Sequence, residues 1–391
     1  MSDLPSGWTF RRLTELVDFP EGQVDPTRQP YADWTLVAPD HVESGYGRLV
    51  EKQSAAEQGA VSGKYVVKPG DVIYSKIRPA LRKAVLVDFP GLCSADMYPL
   101  RVRKDLDTRF LLAILLGERF SRFAEAVSGR SGIPKVNRRE LAEHKLPVPP
   151  LWEQRRIAEI LEALDGEVKV TRQLASKARA TRRALLEAEL KIIENNAEDF
   201  PLRELSLEGG EYGSNSPSVP YTEGLPRYVR ITDIDEYGRL RDDSIVGHPV
   251  VGSAPYMLRD GDLLIARTGF TTGKTLLFQQ KYGRCVFAGY LVRFRLDPSL
   301  VDPRYVFLWT CGNAFSRWVN RTFREVGQRN ISAMEYGVHR LPVPSLEVQR
   351  RLVDRIEALD GLTENYQGRW HRLLEVKNGL AEDLLTGRVR V

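Results

Sequence analysis

One stretch of sequence occurs twice in this chain, and it constrains the fold more than any other feature. Residues 146–166 read LPVPPLWEQRRIAEILEALDG, and residues 341–361 read LPVPSLEVQRRLVDRIEALDG. The two copies agree at 13 of 21 positions and lie 195 residues apart in a chain of 391. A self-match at half the chain length predicts two copies of one structural unit, each ending in the same helix.

Each copy passes from a proline-rich loop into a long helix. Prolines hold the residues before them extended, so helix is predicted only after Pro150 and Pro344. Residues then recur at alternating steps of four and three, which is the 3.5-residue period of a coiled coil. An ordinary amphipathic helix on a globular core would favour a period of 3.6 and about three turns. The predicted seam positions are Ile157, Leu161, Leu164, Val168, Thr171, Ala175, Ala178, Arg182 and Leu185 in the first copy, and Leu352, Ile356, Leu359, Thr363, Tyr366, Trp370, Leu373, Lys377, Leu380 and Leu384 in the second.

A single helix of this kind would leave its apolar stripe in water. Pairing the two copies antiparallel within the chain buries both stripes, and this pairing is the arrangement we expect. Arg182 and Lys377 occupy equivalent seam positions. A polar residue at such a position usually fixes the register of the pair.

The composition sets ordinary bounds on the class of protein. The chain is 42% hydrophobic and 28% charged, as globular proteins are. It has no apolar run long enough to cross a bilayer and no leader sequence, so we expect a cytoplasmic protein without a membrane partner. Its three cysteines lack the spacing of a zinc site or a disulfide framework. A net charge of +5 points only weakly to nucleic acid.

Two globular regions, residues 1–145 and 200–340, precede the two helices and repeat the same order of events. Short β-like runs separated by Gly, Pro and Asp predict a mixed or mostly antiparallel sheet in each. Asp71 follows Gly70 before one strand, and Asp262 follows Gly261 before its counterpart. Further along, the sequence pairs Cys93 with Cys285, Tyr98 with Tyr290, Arg101 with Arg293 and Arg103 with Arg295.

The doubled motif resembles the specificity subunit of Type I restriction-modification enzymes. LPVPPL, EQRRIAEIL and EALD recur after two dissimilar regions, and the chain closes with LLTGRVRV. The resemblance implies an α+β fold in which two α/β target recognition domains are separated by a pair of long antiparallel coiled-coil helices, with an internal pseudo-two-fold repeat. It places the first recognition domain at 1–148, the first spacer helix at 149–198, the second recognition domain at 199–343, and the second helix with the C-terminal tail at 344–391.

The same resemblance implies a DNA-binding subunit that reads a bipartite site and has no active site of its own. Its implied partners are double-stranded DNA, two methylation subunits and the restriction-translocation subunits. Methyl donor, ATP and magnesium would be bound by those partners, so no cofactor is expected here. Departures are small: Ser345 replaces the second proline of the pair, and Glu347-Val348 replaces Trp152-Glu153.

The residues themselves also argue against an enzyme. GFTTGKT at 269–275 has three residues between its first glycine and the Gly-Lys pair, whereas a phosphate-binding loop needs four. Neither a [DNS]PP[YF] tetrapeptide nor an FxGxG loop of a methyltransferase is present, and no acidic cluster of a metal nuclease follows Asp40. The five histidines show no metal-ligand spacing, so we expect them to be exposed or capping residues.

Candidate DNA contacts come from two basic stretches in each region. Arg and Lys suit phosphates and guanine, Thr can read base edges, and Asn and Gln suit adenine. Ordinary solvated loops would show similar charges, and a protein scaffold that binds no DNA is the alternative function. The candidates are Lys76, Arg78, Arg82, Lys83, Lys135, Asn137 and Arg138 in the first region, and Arg267, Thr268, Lys274, Gln328, Arg329 and Asn330 in the second.

Overall fold

The chain divides into two compact units, each built from small sheets and helices. The computed structural model describes residues 4–129, 133–326 and 330–391. Unit 1 comprises residues 1–173 and 366–391, and unit 2 comprises residues 174–365. Each unit therefore holds one globular region and a part of both long helices. The α+β class expected from the sequence is confirmed.

Unit 1 is organised around one fully buried strand, β5. Four strands pair antiparallel in the order β2-β8-β5-β6, and a second sheet has the order β3-β7-β4 with β3 parallel to β7. β1 pairs with β9. The elements are β1 (Thr9–Arg12), α1 (Leu13–Leu16), β2 (Val17–Asp18), β3 (Leu36–Val37), β4 (Tyr65–Val67), β5 (Val72–Ser75), β6 (Ala84–Leu86), β7 (Gly91–Cys93), β8 (Met97–Val102), α2 (Thr108–Leu116), α3 (Glu118–Ser128), α4 (Arg138–Glu143), β9 (Lys145–Val148) and the start of α5 (Leu151–Asn196).

Unit 2 repeats this plan around the buried strand β15. One sheet has the order β11-β18-β15-β16, and the other has the order β12-β14-β13-β17 with β13 parallel to β17. β10 pairs with β19. The elements are β10 (Asp199–Pro201), β11 (Glu211–Tyr212), β12 (Val219–Pro220), β13 (Arg227–Val229), β14 (Val246–Gly247), β15 (Asp262–Ala266), β16 (Thr275–Leu277), β17 (Cys285–Phe287), β18 (Leu291–Arg295), α6 (Pro303–Thr310), α7 (Asn313–Val326), α8 (Ala333–Val338), β19 (Arg340–Pro342) and α9 (Leu346–Thr386).

The two long helices begin directly after the proline-rich loops and run antiparallel within each unit. In unit 1, Asp165 of α5 pairs with Lys377 of α9. In unit 2, Arg182 of α5 pairs with Asp360 of α9 through two hydrogen bonds of 2.6 and 3.0 Å. Residue numbers rise along one helix as they fall along the other. The predicted antiparallel pairing is therefore confirmed inside each unit.

These two ion pairs are equivalent under the internal repeat. An offset of 195 residues carries Asp165 to Asp360 and Arg182 to Lys377, so each pair joins the same two positions of the repeat. All four side chains are between 13% and 36% exposed. The polar seam positions predicted from the sequence are confirmed, and each faces a carboxylate.

A glutamine at the start of each long helix ties that helix to the globular region before it. Gln154 accepts a hydrogen bond from the backbone N–H of Asp107, the residue that caps α2, and its amide donates to the Pro149 carbonyl. Gln349 makes the same two bonds, to Asp302 and to Pro344. Both glutamines are buried. The long helix thus starts in a fixed position on its own unit.

The first long helix also carries a buried carboxylate with no counterpart in the second copy. Glu153 is 0% exposed and accepts hydrogen bonds from the Trp8 indole at 3.2 Å and from the Arg390 guanidinium at 2.9 and 3.1 Å. Val348 stands at the equivalent position of the second copy. A buried charge needs such partners, because an unpaired carboxylate in an apolar setting is costly.

The strand register corrects how the two regions were matched from sequence. β5 and β15 are related by 191 residues, because Asp71 and Asp262 cap the same turn. Ser75 pairs with Met97 and Ala266 with Leu291, so the partner strands are related by 194 residues and not by 192. A slip of two residues leaves every side chain on the same face of the sheet, so hydrophobic alternation cannot detect it. The pairings of Cys93 with Cys285, Tyr98 with Tyr290, Arg101 with Arg293 and Arg103 with Arg295 are each wrong by two residues.

The five histidines have three kinds of surroundings, and His371 is exposed as expected. His144 and His339 are the C-cap residues of α4 and α8, as the expectation of capping allowed. His144 stacks on Phe123 with ring centroids 3.7 Å apart, and His339 lies buried. His41 is buried, and its Nδ1 lies 3.4 Å from the N–H of Ala38, which it caps at the start of the turn Pro39–His41. His248 is buried and hydrogen-bonded to Ser214, so the expectation of an exposed or capping residue is wrong for it.

Candidate nucleic-acid interface

In unit 2, three loops meet where the buried strand β15 ends. The N–H of Arg267 donates to the Tyr290 carbonyl at 3.0 Å, and the carbonyl of Arg267 accepts from the N–H of Ile331 at 2.9 Å. Thr268 forms an antiparallel bridge with Asn330. The loop after β15, the loop before β18 and the segment before α8 are therefore fixed against one another by their backbones.

Unit 1 brings together the equivalent three loops. The N–H of Lys76 donates to the Asp96 carbonyl at 3.0 Å, and the N–H of Val136 donates to the Lys76 carbonyl at 2.9 Å. Ile77 bridges to Lys135. The two basic stretches that the sequence singled out separately thus lie side by side in each unit.

Three lysines at the bases of these loops bond to backbone carbonyls of the protein. The ammonium of Lys76 donates to the Ala95 carbonyl and lies 5.4 Å from the Tyr98 ring centroid. Burial, followed by the charge of Lys135, lowers the pKa of Lys76. Lys83 donates to the Pro39 carbonyl at 2.5 Å, and the equivalent Lys274 donates to the Ile234 carbonyl. These contacts position the loops and leave less of the lysine charge for an external ligand.

Arg267 and Asn330 form a joint polar group beside the bridge. The Nε of Arg267 donates to the Asn330 side-chain oxygen at 3.1 Å, and its guanidinium lies 4.4 Å from the Tyr212 ring centroid. Both residues are half-buried. Among the described residues only Nε of this arginine is hydrogen-bonded, so the donors on its two terminal nitrogens have no described partner.

Asn137 and Arg138 have intramolecular roles. The side-chain oxygen of Asn137 caps α4 by accepting from the N–H of Glu140 at 2.8 Å. Arg138 donates to the carbonyls of Phe19 and Pro20 at 3.2 and 3.3 Å. Two of the predicted contacts therefore hold their own unit together, and a sequence does not distinguish a capping asparagine from a base-reading one.

Arg78 and Lys135 are the exposed candidates of unit 1, and Arg82 is half-buried. The N–H of Arg78 donates to the Pro134 carbonyl at 2.9 Å, which places its loop against the segment that carries Lys135. Gln328 and Arg329 lie outside the described residues.

Unit 2 also contains a cavity lined largely by polar residue types, and it includes one of the predicted residues that the structure describes. Its volume is about 790 Å³, and Thr268 lines it together with Asn215, Arg230, Thr232 and Tyr290. Tyr290 is 66% exposed. The turn that carries Asn215 is rich in Gly, Ser and Pro but lacks basic residues, so positive charge in the sequence does not point to it.

A glycine makes room for the asparagine of this cavity. A Cβ added to Gly289 would lie only 2.1 Å from the side-chain oxygen of Asn215. No hydrogen bond from the amide group of Asn215 to another described side chain or backbone group is found. The amide is thus seated beside the cavity with its donors and acceptor available.

No group of three or more potential metal ligands occurs among the residues that the structure describes. Within the same ranges, no helix is long and apolar enough to cross a membrane.

Comparison with known proteins finds similarity to one family. The model of the Type I restriction modification DNA specificity domain matches residues 5–178. The EcoDI specificity subunit of Escherichia coli is 35% identical over 164 residues, which is 42% of this chain and 36% of that protein. The chain is similar to Type I specificity subunits over these residues. Another relative, the MjaVIII specificity subunit of Methanocaldococcus jannaschii, is 22% identical over 77% of this chain and 75% of that protein.

Solved structures of specificity subunits share the fold over nearly the whole chain. The HsdS subunit from Thermoanaerobacter tengcongensis is 22% identical with a TM-score of 0.52, covering 99% of this chain and 98% of that one. The S subunit from M. genitalium is 14% identical with a TM-score of 0.62, covering 98% and 97%. A chain from a study of the assembly of the type I R-M system has a TM-score of 0.65 at 21% identity and covers both chains fully.

Proposed function

We propose that this chain is the sequence-recognition subunit of a Type I restriction-modification complex, and that each unit reads one half of a bipartite DNA site. The convergence of the same three loops in both units carries the proposal. In each unit, charged and polar residues from distant parts of the sequence meet at the end of one buried strand. Loops fixed on a rigid strand can present side chains to base edges and phosphates in a defined geometry.

In unit 2 the reading surface is the polar cavity around Thr268. Asn215 offers a side-chain amide, which suits the N6 and N7 groups of adenine in the major groove. Thr268 offers a hydroxyl and a methyl group, and Tyr290 offers an exposed ring and hydroxyl beside it. Arg267 and Asn330 adjoin Thr268 through the bridge and add guanidinium donors at the edge.

The chain supplies recognition, and its partners supply the chemistry. Methylation subunits, two in number, and restriction-translocation subunits would bind the methyl donor, ATP and magnesium. A scaffold that binds only proteins is the competing function. The loop convergence favours DNA, because a protein scaffold gives no reason for basic residues to gather at the same place in both units.

The test is DNA binding and methylation by the complex assembled with its methylation subunits. Phosphate contacts predict an affinity that falls steeply with salt. Asn215→Ala should cost about 1–3 kcal/mol at one base pair and relax specificity in the half-site of unit 2 alone. Asn320→Ala, at an exposed asparagine of α7 that does not line the cavity, is the matched control.

Sequencing of the methylated DNA reads both half-sites at once. Unchanged specificity with Asn215→Ala would remove this cavity from the reading surface. Absence of DNA binding by the wild-type complex at low salt would refute the function itself and favour the protein scaffold.

A further inference from the structure

The loop after β5 holds two arginines in a backbone conformation that side chains rarely adopt. Arg78 has φ 49° and Arg82 has φ 47°, one on each side of the turn at Pro79–Leu81. They are the non-glycine residues with positive φ among the described parts of the chain. In this region the Cβ crowds the following carbonyl, and only glycine, and to a lesser degree Asn and Asp, visit it routinely.

The repeat supplies an internal comparison for this loop. The equivalent positions of unit 2, at the 191-residue offset of the strand before the loop, are Gly269 and Gly273, with φ 76° and 84°. Both loops are closed by the same bond from the end of the strand to the lysine after the loop, Ser75 to Lys83 and Ala266 to Lys274, at 2.9 and 2.8 Å. One backbone shape is thus built with two glycines in unit 2 and with two arginines in unit 1.

The fold of unit 1 does not use the side chains of these arginines. Neither guanidinium makes a hydrogen bond, an ion pair or a ring contact with another described residue. Lys76, Lys83 and Arg138 of the same surface all make such contacts. Backbone strain at a position where glycine would serve, together with a charged group that no described residue of the unit holds, points to an external ligand.

We propose that Arg78 and Arg82 contact the DNA half-site that unit 1 binds, and that their side chains are the reason why the strained loop lacks glycine. The ligand chemistry is an anionic or acceptor-rich face of the duplex. A guanidinium can meet a phosphate, or it can donate two hydrogen bonds to the O6 and N7 of guanine. This inference rests on the proposed function. It places two DNA-binding positive charges of unit 1 in a loop whose counterpart in unit 2 has uncharged glycines at the same two positions.

The proposal predicts opposite effects of one substitution on stability and on binding. Arg78→Gly and Arg82→Gly should each raise the melting temperature of the chain by about 2–4 °C, because glycine adopts the left-handed conformation without strain. Each should weaken binding of the assembled complex to its DNA by about 5- to 10-fold. A lost phosphate contact lowers the salt slope by about 1 and weakens all sequences alike, whereas a lost guanine contact relaxes specificity at one position.

Two further variants control for charge and for glycine itself. Arg28→Ala removes an arginine that is 82% exposed, pairs with Asp25 and does not have positive φ, so it should change neither melting nor binding. Arg78→Asn and Arg82→Asn introduce a residue that tolerates the left-handed region, and they do not add the flexibility of glycine. They should weaken binding as the glycine variants do.

Each outcome decides the inference for the arginine concerned. A variant with a higher melting temperature, wild-type affinity and an unchanged salt slope removes that arginine from the interface. A lower melting temperature with both Gly and Asn shows that the side chain stabilises the fold, which also overturns the inference. Loss of binding by the Arg28→Ala control would attribute the effect to net charge. A wild-type complex that binds no DNA would instead refute the proposed function.

Discussion

Reversing one charge in the paired helices should destabilise the chain, and reversing its partner as well should restore it. Lys377 is 13% exposed and Asp165 is 36% exposed, so their pair lies between a surface and a buried ion pair. Exposed pairs contribute about 0–1 kcal/mol, and breaking a buried pair costs about 3–5 kcal/mol. Lys377→Asp places a second carboxylate beside the first, so we expect a loss of about 3 kcal/mol.

The repeat makes a second, independent copy of this experiment available. Arg182 and Asp360 occupy the same positions of the other copy, and they join through two hydrogen bonds. Arg182→Asp should therefore cost at least as much as Lys377→Asp. The swapped pairs, Lys377→Asp with Asp165→Lys and Arg182→Asp with Asp360→Arg, should each recover to within about 1 kcal/mol of wild type.

Urea denaturation of the isolated chain measures these free energies of unfolding, provided that the transition slope stays constant among variants. For a unit of about 200 residues, a loss of 3 kcal/mol corresponds to a fall of about 6–12 °C in the melting temperature. Equal stability of Lys377→Asp and wild type would show that the pair contributes nothing. If the swapped pair does not recover the free energy of unfolding, the cation is needed because of neighbouring charges and not because of its partner carboxylate.

Two further predictions concern buried groups of unit 1 and of its repeat. Burial lowers the pKa of His144 and His339 to about 4 from an ordinary value of 6.5, so their contribution to stability is complete above pH 6.5 and is lost as the pH falls towards 4. With glutamine at both positions, the loss of unfolding free energy over that pH range should be smaller by about 3 kcal/mol per histidine, and an unchanged pH profile would count against burial as its cause. Arg390→Ala leaves the buried carboxylate of Glu153 without its cation, so it should lower the melting temperature more than Arg388→Ala, whose side chain is 61% exposed. Equal falls in melting temperature for the two variants would show that the ion pair of Glu153 contributes no more to stability than an exposed pair.

The sequence was sufficient to predict the two long helices, because their seam positions recur regularly over many turns. The helices of 46 and 41 residues begin within two residues of the prolines that predicted their starts. Their antiparallel pairing followed from the need to bury both stripes. The polar seam positions Arg182 and Lys377 were predictable for the same reason, since a cation in an apolar stripe requires a partner.

Matching of the two globular regions was less successful, because a strand repeats every two residues. The true correspondence of Arg101 is Arg295, and both side chains approach the aspartate that begins the neighbouring strand. The slipped match to Arg293 places the same residue type on the same face. Only the ladder hydrogen bonds distinguish the two alignments.

The sequence predicted where the candidate site lies, but it did not predict which individual residues form it. Both basic stretches were found, and the structure brings them together in each unit. What a polar side chain bonds to, however, depends on residues distant in sequence, and this is why Asn137 was read as a base contact when it caps a helix. Asn215 and Tyr290 are not predictable from the sequence for the converse reason, since neither side chain carries the positive charge that marks the basic stretches.

The glutamine joint at the start of each long helix has a consequence for how such a chain can change. Gln154 and Gln349 hold each helix to its own globular region through backbone groups, the N–H of an aspartate and the carbonyl of a proline. The joint requires a backbone N–H and a backbone carbonyl at two fixed places, and it does not involve the loops that face a ligand. Loop sequences can therefore drift apart after a duplication while the connector stays the same. A new specificity could arise by exchanging a whole globular region between chains, with the helix beginning at the same place each time.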